Sequence, residues 1–483
     1  MINRQMLRYI LGRILQIEAL LMLLPLTLAL IYREPYRHIG IFSLTILICL
    51  GLGTALAWRR PEKRSLYTRD GLLIVALSWL LLSFFGALPF YLSGQIPSFL
   101  DAFFETVSGF TTTGSTILRD VTELDHSFLF WRSFTHLIGG MGILVFALAV
   151  MPRIENDDVF IMRAEVPGPT FGKLHARVRG TARILYSIYL SLTALVILLL
   201  VLGGMPLFDA VCNAFGAAGT GGFAVTSTSI AAYNSAYAEL VLAISMLVFG
   251  SNFALIYALL KGHIKEVLKS EELRWYLGIV AASCLLICAN LWPYYHSPLR
   301  LLRDVFFTVS SIITTTGYST VDFDLWPLFS KLILLFLMFV GGMAGSTAGG
   351  LKVSRIAIYT RASLAELGRN ISPNRCLPLR FEGKTLGQGL QTRSVRYLLM
   401  YILLFLLFLL FIAPDSPDFI SAFSAVAATF NNIGPGFGIV GPSRNFAQYH
   451  AFSQIVLSLS MIMGRLEIFP ILVLFSPRAW KRN

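Results

Sequence analysis

Residues 303–320 read RDVFFTVSSIITTTGYST, and three other stretches of the chain repeat that design. Residues 101–116 read DAFFETVSGFTTTGST, residues 208–225 read FDAVCNAFGAAGTGGFAV, and residues 419–438 read FISAFSAVAATFNNIGPGFG. Each predicts a short amphipathic helix of Phe, Ala and Val that ends in small or polar residues and a glycine. The aligned glycines are Gly114, Gly222, Gly317 and Gly434, separated by 108, 95 and 117 residues. The repeating unit is therefore a whole supersecondary element of about one hundred residues. One such stretch would pass for an external turn, where glycine and small polar residues are common. Four at matching places would not.

The surroundings of the four stretches are apolar. The chain is 56% hydrophobic and 13% charged, with mean hydropathy +0.70. A soluble domain carries about 25% charged residues, so the deficit points to lipid as the main solvent. A span needs roughly 20 mostly apolar residues, and ten candidates meet that need: 14–32, 39–58, 71–93, 127–151, 184–204, 240–260, 275–293, 325–343, 397–413 and 451–475. The first lies behind Arg4, Arg8 and Arg13. A signal peptide is its rival reading, but the run is long and has no A-x-A site. The net charge of +13 does not predict a nucleic-acid partner, because the basic residues lie in short patches between apolar runs. Six such patches hold 30 of the 39 Lys and Arg. Placing all of them in the cytoplasm closes the topology, with both termini inside and lipid as the neighbour.

The remaining loops, 94–130, 206–239, 295–326 and 413–450, then face outward. They hold 12 acidic residues against four basic ones. Each contains one of the repeated stretches, too short and polar to cross, so each must enter and leave on one side. Irregular backbone at membrane depth is tolerated only where protein buries it or a watery cavity solvates it. The fold expected is an all-α integral membrane protein with four helix–pore loop–helix repeats around one path, preceded by two extra helices. Its divisions are 1–68 for the extra helices, 69–152, 153–262 and 263–360 for the first three repeats, and 361–483 for a cytoplasmic linker and the fourth.

A dehydrated alkali cation needs a ring of oxygens in place of its hydration shell, and backbone carbonyls of four TVGYG-type loops supply it in potassium filters. Glycine permits the conformation that points successive carbonyls one way. The negative end of each short helix favours a cation beyond it. Thr112-Thr113-Gly114 and Thr315-Thr316-Gly317 come close to the potassium pattern; Thr220-Gly221-Gly222 and Asn432-Ile433-Gly434 depart from it.

About 28 residues beyond each filter glycine the chain breaks its own helical pattern. The sites are Gly139-Gly140-Met141-Gly142, Gly250-Ser251-Asn252, residues 341–350 and Met463-Gly464-Arg465. Residues 341–350 include five glycines and cannot hold a stable helix. A loop at that depth should face the water-filled path. Its likeness to a phosphate-binding P-loop fails, because Leu351 separates Lys352 from the last glycine and the flank is a membrane span. An arginine mid-span is a functional candidate by default, so Arg465 is assigned to the path, with capping of freed carbonyls as the alternative. Glu467 lies on another helix face. Arg132 and His136 are read as packing or surface residues. The five cysteines, Cys49, Cys212, Cys284, Cys288 and Cys376, form no CxxC pair and predict neither a disulfide framework nor a metal site. No HExxH, GxSxG or strand-borne GxGxxG occurs, so no enzyme and no nucleotide site on this chain is expected.

With its motifs GFTTTGST, GTGGF, TTTGYST, NNIGPGFG, GGMAGSTAGGLK and MGRLEIFP, the whole chain resembles the TrkH/TrkG branch of the bacterial potassium-uptake superfamily. The resemblance implies potassium ions held by Thr112, Thr113, Thr220, Gly221, Thr315, Thr316, Asn432 and Ile433. It implies a gate made of Gly345, Ser346, Thr347 and their glycine loop, with Arg465 as its partner. It also implies a homodimer in the bacterial inner membrane, seated on a TrkA-like ring of cytosolic nucleotide-binding subunits. A proton- or sodium-coupled carrier of alternating-access type, built from discontinuous helices, is the alternative.

Overall fold

The computed structural model describes residues 3–59, 61, 67–142, 178–372 and 379–480. The second half of the expected 127–151 span, most of the basic segment 153–183, and Cys376 lie outside the described residues. Apart from one two-stranded hairpin, Arg380–Phe381 with Lys384–Thr385, the described regular structure is helical.

Three helices lead the chain: α1 (Arg4–Leu21), α2 (Leu23–Ile31) and α3 (Tyr36–Ala57). A unit of outer helix, short helix and inner helix then occurs four times. The first has α4 (Thr68–Ser93), α5 (Phe99–Phe110) and α6 (His126–Gly140); the second has α7 (Val178–Leu202), α8 (Leu207–Gly219) and α9 (Ala236–Phe249), continued by α10 (Phe253–Leu260). The third has α11 (Glu271–Leu291), α12 (Pro298–Ile313) and α13 (Leu328–Val340), followed after a loop by α14 (Val353–Ile371). The fourth has α15 (Gln388–Ile412), α16 (Phe419–Phe430) and α17 (Ala451–Arg465), continued by α18 (Phe469–Phe475).

Six helices among the described residues are long and apolar enough to cross a membrane alone, against ten expected spans. The difference lies in the inner helices. Residues 240–260 are two helices meeting at 101° around Gly250. The span expected at 325–343 stops at Val340, where Gly341 takes a positive φ of 71°. The one expected at 451–475 breaks at Glu467 and Ile468, also at positive φ. In 240–260 and 451–475 both sides of the break are apolar, and hydropathy does not register a turn between two apolar halves.

The linker read in 352–396 also contains more than basic coil. It opens with α14, whose first residues Val353, Ser354 and Arg355 are buried. The hairpin that follows caps the start of α11: Ser270 Oγ and the Glu272 N–H both donate to Glu382 at 2.9 Å. Arg361 bridges the same corner, donating to Glu271 at 2.8 Å and to the Arg380 carbonyl at 2.6 Å.

Two of the leading helices, α1 and α3, pack on each other through close backbone contact. A Cβ on Gly12 would lie 2.6 Å from the Gly53 carbonyl oxygen, and one on Gly53 would lie 2.8 Å from that of Gly12. Small residues at a crossing let membrane helices approach this far. Gly51, two residues away, meets nothing within 4 Å. Gly12→Leu is therefore expected to destabilise the protein by about 1–3 kcal/mol, read as a lower unfolding midpoint in detergent. Gly51→Leu should leave the midpoint where it was; equal effects would show that the crossing is not set by glycine contact.

Candidate functional site

The four short helices end in the same way. At each end one N–H bonds back three residues: Thr112 to Gly109 (3.1 Å), Thr220 to Ala217 (3.2 Å), Thr315 to Ile312 (3.0 Å) and Asn432 to Thr429 (3.2 Å). The next N–H bonds back five residues: Thr113 to Ser108 (2.9 Å), and Gly221 to Gly216, Thr316 to Ser311 and Ile433 to Ala428 (each 2.8 Å). This pair of bonds is the Schellman cap, whose pivot residue is left-handed and usually glycine. Here the pivots are Thr112, Thr220, Thr315 and Asn432, with φ of 53°, 54°, 57° and 57°. A left-handed side-chain-bearing residue costs about 1–2 kcal/mol, and the chain accepts that cost at all four pivots.

Two residues after each pivot stands an aligned glycine, again at positive φ: 80° at Gly114, 76° at Gly222, 85° at Gly317 and 100° at Gly434. Their neighbours close a ring. A Cβ on Gly114 would collide with the Gly221 carbonyl oxygen, one on Gly222 with that of Thr316, and one on Gly317 with that of Ile433. One on Gly434 would come to 2.9 Å from the carbonyl oxygen of Thr113. The four loops thus touch in the order one, two, three, four and back to one, each glycine against the residue that precedes the next glycine. Outside the ring lies a cavity of ≈ 100 Å³ whose wall includes all four glycines.

Side chains brace this ring from behind. Thr111 and Thr113 share a hydroxyl–hydroxyl bond of 2.7 Å, and Thr314 and Thr316 share another of the same length. Asn432 Nδ2 donates to Thr113 Oγ1 at 2.9 Å, and Ser115 Oγ donates to the Gly434 carbonyl at 3.1 Å, which ties the fourth loop to the first. The Tyr318 hydroxyl reaches from the third loop to the Asn213 carbonyl at 2.8 Å. At the mouth, Ser227 donates to Asp120 at 2.5 Å. That bond, with those from the Thr122 hydroxyl and N–H, holds the Asp120 carboxyl below its usual range.

Arg132 and His136 belong to the same bracing, which overturns the surface alternative in their reading as packing or surface residues. Both are buried. Arg132 Nε donates to Glu105 at 2.6 Å, its Nη1 donates to the Ala224 carbonyl at 3.0 Å, and its guanidinium lies 3.5 Å over the Phe223 ring. His136 Nδ1 faces the Gly109 carbonyl at 2.8 Å while Nε2 accepts from the Phe223 N–H at 3.2 Å. Those two bonds require the neutral tautomer protonated on Nδ1. Partners so far apart in sequence leave no local motif. The available signal was that an arginine and a glutamate in apolar surroundings at membrane depth need each other.

On the other side of the ring, residues 341–352 form a buried loop with Gly341, Gly345, Gly350 and Lys352 at positive φ. The loop leans on the break in the second inner helix: Met343 N–H donates to the Gly250 carbonyl at 2.9 Å and Phe253 N–H to the Gly345 carbonyl at 3.2 Å. It reaches the ring where Gly349 N–H donates to Thr315 Oγ1 at 2.6 Å. Ser346 folds onto its own loop, donating to the Met343 carbonyl at 2.6 Å. Arg465 donates to the Thr347 carbonyl at 2.6 Å and to the carbonyls of Gly139 and Gly140 at 2.6 and 2.7 Å. One guanidinium on the fourth unit therefore joins the third unit's loop to the end of the first unit's inner helix. Glu467 pairs with Arg355 at 2.7 and 3.1 Å. This couples the turn after Arg465 to the first turn of α14.

A family model described as "TrkH: Cation transport protein" matches residues 38–289 and 300–482. The chain is 37% identical over 467 residues to the Trk system potassium uptake protein TrkH of Salmonella typhimurium, covering 95% of this chain and 96% of that one. The Escherichia coli K12 protein of the same description matches to the same extent. The crystal structure of the potassium transporter TrkH from Vibrio parahaemolyticus superimposes with a TM-score of 0.88 at 35% identity, covering 99% of both chains.

The Arg132–Glu105 pair makes a direct prediction. Arg132→Gln strands a buried carboxylate, and losing one partner of such a pair costs about 3–5 kcal/mol. The double variant Arg132→Gln, Glu105→Gln removes the stranded charge and should unfold in detergent at a higher denaturant concentration than the single one. If the double variant is the weaker, the pair does not work as a charge pair.

Proposed function

The chain belongs to the TrkH family of cation transport proteins, and from that premise we propose that it takes up potassium through one pore on the axis of the four loops. The observation that carries this reading is the closed contact ring, because four backbone segments of one conformation around one point are what a dehydrated cation needs. Potassium sits against the backbone carbonyls of Thr112, Thr113, Thr220, Gly221, Thr315, Thr316, Asn432 and Ile433. Alternation of left-handed and ordinary residues through each loop supports this, since it turns successive carbonyls to one side. Gly114, Gly222, Gly317 and Gly434 permit that alternation and the close approach of neighbouring loops. Catalysis of a covalent reaction is no part of the reading.

Gly345, Ser346 and Thr347, with the rest of the 341–350 loop, obstruct the path on the inner side, and Arg465 latches the obstruction shut. The three carbonyls under the Arg465 guanidinium support this, for they belong to two different units that would have to part. The pore lies in the bacterial inner membrane with its mouth outward and both termini in the cytoplasm, which the distribution of Lys and Arg supports. The protein acts as a homodimer on a TrkA-like cytosolic ring, and nucleotide acts through that ring. The route for such control is α14, which begins at the gate loop, is tied to Glu467 through Arg355, and packs on the hairpin through Ala357, Ile358 and Arg361.

Purified chain in liposomes tests both halves. Gly317→Ser is expected to raise sodium flux relative to potassium several-fold; unchanged ratios for substitutions at all four glycines would remove the filter. Arg465→Ala is expected to raise flux in the absence of the ring, and a fall in flux in well-folded protein would make the loop a scaffold. Flux that follows an imposed proton or sodium gradient would favour a coupled carrier instead.

A further inference from the structure

We propose that Glu34, His38 and Asp125 form a binding site for a divalent cation of the zinc class at the mouth end of the first unit. The three come from two segments far apart in the chain. Glu34 stands in the turn between α2 and α3, His38 in the first turn of α3, and Asp125 immediately precedes α6. Their ligand atoms all lie within 4.8 Å of one another. His38 is 7% exposed and Glu34 9%, while the Asp125 side chain is 39% exposed and leaves an open side.

The distances suit a small tetrahedral ion. His38 Nδ1 lies 3.2 Å from Asp125 Oδ2 and 3.7 Å from Glu34 Oε2. Two ligands held about 2.1 Å from one zinc ion are roughly 3.4 Å apart, which those two separations bracket. His38 Nδ1 is also buried with no hydrogen-bond partner. A buried ring nitrogen aimed between two carboxylates, yet bonded to neither, is a costly arrangement unless a cation takes its lone pair. An imidazole and two carboxylates fit zinc or its neighbours, whereas calcium takes six to eight oxygens and magnesium keeps most of its waters.

The ligands are held from behind, as metal ligands generally are. The Ser127 N–H donates to Glu34 Oε1 at 2.8 Å and its hydroxyl donates to Oε2. Gln95 Nε2 donates to Asp125 Oδ2 at 2.9 Å. The His38 ring stands edge-on to Phe128, 5.1 Å between centres. A bound ion would clamp the α2–α3 turn to the start of α6, the helix whose other end gives its carbonyls to Arg465.

The test is zinc chloride titrated calorimetrically into the full chain in detergent after chelator treatment. One zinc per chain is expected. His38→Asn and Asp125→Asn should each weaken binding at least about tenfold. His126→Asn, beside the site but stacked on Tyr32 at 4.2 Å, should not. No saturable binding, or wild-type affinity in both ligand variants, would overturn the proposal. Should a variant fail to fold, the wild-type zinc absorption spectrum decides. Nitrogen and oxygen ligands are expected, and a sulfur shell would put the metal on cysteine and end the proposal.

Discussion

Backbone that leaves the helix inside a bilayer must have its polar groups met by protein or by water. Four segments of this chain meet that demand against one another. Each short helix closes on a Schellman cap with a left-handed Thr or Asn pivot, and each following glycine lies against the carbonyl of the next loop. The remainder of the molecule can be understood as what holds that ring shut. The outer helices enclose it, the braces from Arg132, His136, Tyr318 and Asn432 lock one loop to another, and the inner helices stop short beneath it.

The units are alike in backbone and unlike in side chain, and the inequality has a pattern. Loops one and three share the threonine pair with its 2.7 Å hydroxyl bond. The second has Gly221 where they have threonine, and His136 presses on that residue from the first inner helix. The fourth has Asn432, which reaches both Thr113 and the Met461 carbonyl. A single chain can thus specialise each quarter. It also places one arginine, one loop and one helix end together on the inner side, an asymmetric device that four identical subunits could not build at the axis.

The ring itself was legible in the sequence because it is written four times. Gly114, Gly222, Gly317 and Gly434 align without reference to structure, and so do the glycine breaks that follow them. The pivots were legible only as residues near a glycine, since nothing local marks a threonine as left-handed. The braces were not legible as pairs: Arg132 and Ala224, or Tyr318 and Asn213, meet only after the units have closed. Residues 240–260 looked like one span because apolar windows carry no record of a bend. The trio of Glu34, His38 and Asp125 joins two segments some ninety residues apart, so no ligand spacing announces it. In 352–396 the positive charge obscured the amphipathic period of α14.

The most direct measurement is the position of a heavy potassium substitute in crystals grown with rubidium or thallium. The account predicts anomalous peaks on the axis of the ring, between the carbonyls of Thr113, Gly221, Thr316 and Ile433. Well-ordered loops with no peak on that axis, and ions bound elsewhere in the membrane region, would contradict it.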